Sequence, residues 1–77
     1  MFYKNFQIRL FNDGNRYELI KWAENRKSCI TIAFIEWDGK QKDFTFEMIG
    51  QRLFTEWEPG LDKFILAYVE LIRISKD

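Results

Sequence analysis

Cys29-Ile30-Thr31-Ile32-Ala33-Phe34-Ile35-Glu36-Trp37, closed by Asp38-Gly39, decides how the rest of this chain is read. The run is dominated by β-branched and aromatic side chains and carries no charge before Glu36, as suits a strand flanked on both sides. It is therefore expected to be the central strand of an antiparallel sheet. Its partner is Lys40 to Ile49, and the turn between them sets which side chains share a face. A two-residue Asp38-Gly39 loop would put Phe34 opposite Asp43 and Ile32 opposite Thr45, scattering apolar groups over both faces. A three-residue loop Trp37-Asp38-Gly39, with Gly39 in the left-handed position of a G1 bulge, puts Ile32 opposite Phe44 and Ile30 opposite Phe46. That gathers Ile30, Ile32, Phe34, Phe44, Phe46 and Met48 on one face. It is the expected register, because a one-residue slip would turn the whole set to water.

Upstream, Phe6 to Phe11 and Arg16 to Trp22 flank Asn12-Asp13-Gly14-Asn15, and Asp-Gly between alternating runs is a strong hairpin signal. With Asp13 and Gly14 as the loop, Leu10 faces Tyr17, Ile8 faces Leu19 and Phe6 faces Lys21. The other face sets Arg9 against Glu18 and Gln7 against Ile20, opposite charges directly across. The competing reading makes Asn15 a helix N-cap, with Glu18 three residues on and a helix to about Arg26. The hairpin is preferred.

Downstream, Gly50 breaks the alternation, and residues 51 to 57 read as a short edge strand or an extended arm, with helix against strand left open by the pattern. Glu58-Pro59-Gly60 ends that segment. Leu61, Phe64, Ile65, Tyr68, Leu71 and Ile72 then recur at helical spacing, with Asp62 near the start and Arg73 and Lys76 near the end, where they complement the helix dipole. Leu66, Ala67 and Val69 lie off this stripe, so the apolar arc is wider than one sheet face requires. The expected fold is α+β over a single domain, residues 1 to 77. It is an antiparallel meander of four strands, five if residues 51 to 57 join, with one C-terminal amphipathic helix across one face (ββββα).

A chain of 77 residues buries only about 60% of its unfolded surface, but 47% hydrophobic residues, with eight Phe, three Trp and three Tyr, make a compact core feasible. Twelve basic and twelve acidic side chains cancel, a poor footprint for non-specific nucleic-acid binding and a weak barrier to self-association. A single Cys29 and no His leave neither an internal disulfide nor the usual zinc ligands, and a thiol nucleophile would lack its usual base. The pairs Glu56 with Glu58 and Asp38 with Asp43 match no calcium loop, and no Gly-rich phosphate cradle is present. No catalytic, metal or cofactor site is expected. With no apolar leader and no membrane-length span, the expected location is the cytoplasm.

Two groups are candidate binding surfaces. On the register above, Ile20, Trp22, Thr31, Ala33, Ile35 and Trp37 share the face turned away from the helix, which is too apolar for open water. Either a protein partner or a second copy covers it, giving a homodimer, or the arm around Trp57 folds over it. The alternative site is Arg16, Lys21, Trp22, Arg26 and Lys27, cations interleaved with an aromatic as in single-stranded nucleic-acid binders.

The motifs Cys29-Ile30-Thr31-Ile32-Ala33-Phe34 and Phe46-Glu47-Met48-Ile49-Gly50-Gln51-Arg52-Leu53-Phe54, followed by a C-terminal helix carrying Phe and Leu, resemble small uncharacterised proteins of bacteriophages and mobile elements of low-GC bacteria. That likeness implies an accessory role, such as modulating a host protein. The ββββα order, with Arg16-Tyr17 and Lys21-Trp22, is similar to the PC4-like family of single-stranded DNA binders, which dimerise through the helix. The acidic Glu56-Trp57-Glu58-Pro59-Gly60 stands where that family has a basic, glycine-containing segment, so the comparison is one of topology.

Overall fold

The structure, a computed structural model, describes residues 2–11 and 16–76. Five strands, β1 (Phe2–Tyr3), β2 (Phe6–Phe11), β3 (Arg16–Trp22), β4 (Cys29–Asp38) and β5 (Asp43–Met48), precede a short helix α1 (Arg52–Thr55) and a long helix α2 (Leu61–Lys76). The strands lie in sequence order in one antiparallel sheet, and the fold is α+β. The β2–β3 ladder has the expected register, with Ile8 opposite Leu19, Arg9 opposite Glu18 and Leu10 opposite Tyr17. The helical alternative for residues 16 to 26 is thereby excluded. The Asp13-Gly14 turn lies outside the described residues.

β4 departs from expectation in its middle. Leu19 pairs with Ala33 but Ile20 pairs with Thr31, so Ile32 is an extra residue bulged into the strand. A bulge turns two consecutive side chains to one side and reverses the parity beyond it. Ile32 and Ala33 are both buried in the core under α2, and from there on the odd positions face the helix. The turn after β4 agrees with this and not with a G1 bulge at Gly39. Asp38 pairs with Asp43 across a four-residue loop, 39 to 42. The Asp38 carboxylate accepts hydrogen bonds from the backbone N–H groups of Lys40 (2.9 Å) and Gln41 (3.3 Å), an Asx-type turn. The left-handed residue is Lys42, at φ 53°, not Gly39. Phe44, Phe46 and Met48 consequently pair with Trp37, Ile35 and Ala33. Phe34 sits on the opposite face, against Phe11.

The core is Phe6, Ile8, Tyr17, Leu19, Ile32, Ala33 and Ile35 from the sheet, packed against Leu61, Phe64, Ile65, Val69 and Ile72 of α2. Val69 belongs to the buried stripe and Leu71 is exposed, the reverse of the expected assignment. Tyr3 stacks on Phe64 at 5.8 Å and Tyr17 meets Tyr68 edge-on at 5.8 Å. The helix entry depends on Gly60 at φ 93°. A Cβ there would collide with the Tyr3 hydroxyl, which donates to the Pro59 carbonyl at 2.8 Å.

The helix-or-strand ambiguity of residues 51 to 57 resolves to a helix over Arg52–Thr55, with no strand in the segment. Thr55 and Glu56 donate backbone N–H groups to the carbonyls of Gln51 and Arg52, both at 2.9 Å, closing a single helical turn. Gly50, at φ 56°, redirects the chain into it. The fifth strand is instead β1, at the other edge.

Candidate functional site

The sheet face away from α2 is not the apolar surface expected from the sequence. The bulge at Ile32 divides the candidate set, leaving Ile20, Trp22 and Thr31 on that face while Ala33 and Ile35 are buried beneath the helix. Trp37 packs on Phe44 at 4.8 Å, on the helix side as well. What remains on the far face is only partly open, with Trp22 and Thr31 half-buried. Ile20 is fully buried there. The Trp22 indole donates to the Gln7 amide oxygen at 2.9 Å. Glu18 accepts hydrogen bonds from Thr31 Oγ1 and from Arg9 Nε. Burial pushes the Glu18 carboxyl up, but these two hydrogen bonds and the Arg9 charge outweigh it and hold the group below the ordinary carboxylate range. The same contact raises the Arg9 guanidinium, against a smaller desolvation cost.

The candidate nucleic-acid residues do not gather on one face, although Lys21 and Trp22 border the same cavity at the end of β3. Arg16 and Trp22 lie at opposite ends of β3, roughly 20 Å apart at about 3.3 Å per residue. Arg16 lies over the Phe34 ring, 4.1 Å from its centroid, and pairs with Glu47. Lys21 points to the helix side, pairs with Glu56 at 2.8 Å and sits over Phe6. Arg26 sits beside the Phe2 ring, and Lys27 is an exposed turn residue. Two of the four cations are thus neutralised within the chain, and they do so from opposite faces.

The carboxylates are committed too. Glu56 and Glu58 pair with Lys21 and Lys4, Asp43 with Arg73, and Asp38 closes its own turn. Among the described residues no group of three metal-ligating side chains occurs. Cys29 lines a cavity of about 250 Å³ at the end of β3 and β4, together with Lys21, Trp22 and Glu56. Lys21 and Glu56 are paired with each other there at 2.8 Å.

The open apolar surface lies elsewhere, between β5 and α2. Phe46, Met48, Leu53, Trp57, Ile65 and Leu66 line a groove of about 370 Å³, with Asp62 as the polar group at its margin. Phe46, Met48, Trp57 and Leu66 are 50, 48, 45 and 64% exposed. Its existence follows from simple dimensions. A helix about 10 Å across covers roughly two strands spaced about 4.8 Å apart, so one helix cannot roof a five-stranded sheet. α2 packs over the middle of the sheet, and on β5 Phe46 and Met48 remain uncovered while Phe44 is partly buried against the core. Leu53 of α1 and Trp57, just past the end of that turn, complete the lining of the groove. Arg73 bridges Asp43 at 3.1 Å and Glu70 at 3.0 Å, tying α2 to the start of β5.

Trp57 and the excess arc at Leu66 were legible as surplus apolar surface in the sequence. The register expected from the sequence places Phe46 and Met48 in the sealed core, and only the width of the helix against that of the sheet shows otherwise. Among the described residues, no helix is long and apolar enough to cross a membrane. No protein-family model matches the chain, nor does any curated protein or solved structure.

Proposed function

We propose that the chain is a non-enzymatic protein-interaction module that takes a polypeptide partner in the groove between β5 and α2. The observation that carries this reading is the contiguous exposure of Phe46, Met48, Trp57 and Leu66 around one depression. Four half-exposed large side chains, at roughly 150–250 Å² each, leave on the order of 400 Å² of apolar surface. That is the patch size at which a monomer's surface is commonly functional. The resemblance to small uncharacterised proteins of bacteriophages and mobile elements implies a host protein as one class of partner, and a second copy of the chain is the other.

The test compares immobilised wild-type protein with Leu66→Glu, Phe46→Glu and a control, Phe54→Glu, in a lysate of cells that carry the gene. Phe54 is 64% exposed but outside the groove. Polypeptides held by wild type and by the control, and lost by both groove variants, are the expected result. Retention that is identical across all four proteins removes the groove as a binding surface.

A further inference from the structure

We infer that the occupant of the groove is a second copy of the chain, joined β5 to β5 in antiparallel fashion about a two-fold axis at Phe46. The inference rests on the interaction-module reading and names its partner. It begins with the open edge. Ile49 donates its N–H to the Ile32 carbonyl at 3.4 Å, in line with the β4–β5 ladder. Backbone groups alternate in direction along an antiparallel strand, so Glu47 and Thr45 also turn toward β4 while Met48, Phe46 and Phe44 turn outward. The Phe44 N–H is taken by the Asp43 carboxylate at 2.8 Å. The N–H groups of Phe46 and Met48, and the carbonyls of Phe44, Phe46 and Met48, are left on the rim of the sheet. The residues whose backbones face outward are the same residues whose side chains line or flank the groove.

Symmetric pairing must set residues of like facing opposite each other, which restricts the register to a few choices. Centred on Thr45, it would put Asp43 opposite the second copy's Glu47, and centred on Glu47 it would put two glutamates together; like charges directly across destabilise a pair. Centred on Phe46, it sets Phe46 on Phe46, Phe44 on Met48 and Thr45 on Glu47, with no like-charge pair. Phe46 then donates to the other Phe46 carbonyl and Met48 to the other Phe44 carbonyl, once in each direction, four ladder bonds made without disturbing the Asp43 contact. Both α2 helices fall on the same side of the extended sheet, and the two grooves merge into one apolar layer.

The areas are of the right order. Two patches of about 400 Å² with the strand backbones and flanks approach the roughly 1,200 Å² at which specific interfaces begin. A formal net charge of zero adds no long-range repulsion between copies. The other edge is a poorer template, because β1 has only two residues and covers the end of β2.

The test uses the full chain with Cys29→Ser. In the proposed register Phe46→Cys places two thiols on a bonded pair with Cα atoms about 5.5 Å apart, within the disulfide range. Thr45→Cys places them on a diagonal of roughly 7–8 Å, beyond it. Oxidation should give a covalent dimer with Phe46→Cys and none with Thr45→Cys. Wild type should sediment at twice 9.4 kDa, and Leu66→Glu should sediment as a monomer. A dimer with Thr45→Cys alone overturns the register. Wild type that stays monomeric at about 0.5 mM, above the Kd of even a weak pair, overturns self-pairing. If groove variants still lose a different polypeptide in that case, the interaction-module reading stands without it.

Discussion

Replacing Gly60 with Ala tests the joint at which α2 is launched onto the sheet. Gly60 sits at φ 93°, and a Cβ would strike the Tyr3 hydroxyl. An L-residue held at that φ costs about 1–2 kcal/mol. Tyr3 can yield only by giving up its bond to the Pro59 carbonyl, worth about 1 kcal/mol, and part of its stack on Phe64, worth about 0.5–1.5 kcal/mol. The sum is roughly 2–4 kcal/mol, a large share of the 5 or so expected for a small domain. At about 4–8 °C per kcal/mol, Tm should fall by roughly 8–32 °C. Urea unfolding of Gly60→Ala, Tyr3→Phe and the double variant separates the components. With the hydroxyl already gone the Ala costs less, so a coupling of about 1 kcal/mol is expected. A Gly60→Ala loss below about 0.5 kcal/mol, or additive single variants, would refute the arrangement of Tyr3, Pro59 and Gly60.

Three further outcomes follow from the same geometry. Ile35→Ala should cost about 2–5 kcal/mol and Ile30→Ala less than about 1.5, since Ile35 is fully buried and Ile30 is 41% exposed; the reverse order by denaturant titration would deny the bulge at Ile32. Because the Glu18 carboxyl is held below its ordinary value in the fold, its contribution is complete above the unfolded carboxylate pKa and fades as pH falls through the folded one. Glu18→Gln should therefore lose about 1 kcal/mol near neutrality, discounted for the exposed Arg9, and less in acid, and an unchanged pH–stability curve would remove the Arg9–Glu18–Thr31 contact from the account. An oligonucleotide titration at low salt should leave Trp fluorescence unchanged, whereas salt-sensitive quenching would show that Arg16 and Lys21 leave their carboxylates for phosphate.

The β2–β3 register was legible because its two faces differ chemically, Ile8 with Leu19 on one and Arg9 with Glu18 on the other. The helix was legible from its spacing, apart from Val69 and Leu71, which sit on either flank of the stripe. β4 hid its register because Ile30 to Ile35 is apolar at odd and even positions alike, so alternation cannot locate a bulge inside it. That single inserted residue moved Ala33, Ile35 and Trp37 from the open face to the helix side and dissolved the expected interface. Asp-Gly is a tight-turn signal, whereas the Asp38 side chain here stabilises a longer turn by accepting from the N–H groups of Lys40 and Gln41. The groove depends on which strand a helix of fixed width leaves bare, a quantity of assembly that no local pattern encodes.

The central claim is that the outward edge of β5 and the groove beside it form a docking surface for a second copy, and amide hydrogen exchange reads that edge directly. The N–H groups of Phe46 and Met48 should exchange quickly in dilute solution and become protected as concentration rises, with Thr45 and Glu47 protected throughout and Leu66→Glu abolishing the change. Exchange at Phe46 and Met48 that is fast and independent of concentration would contradict it.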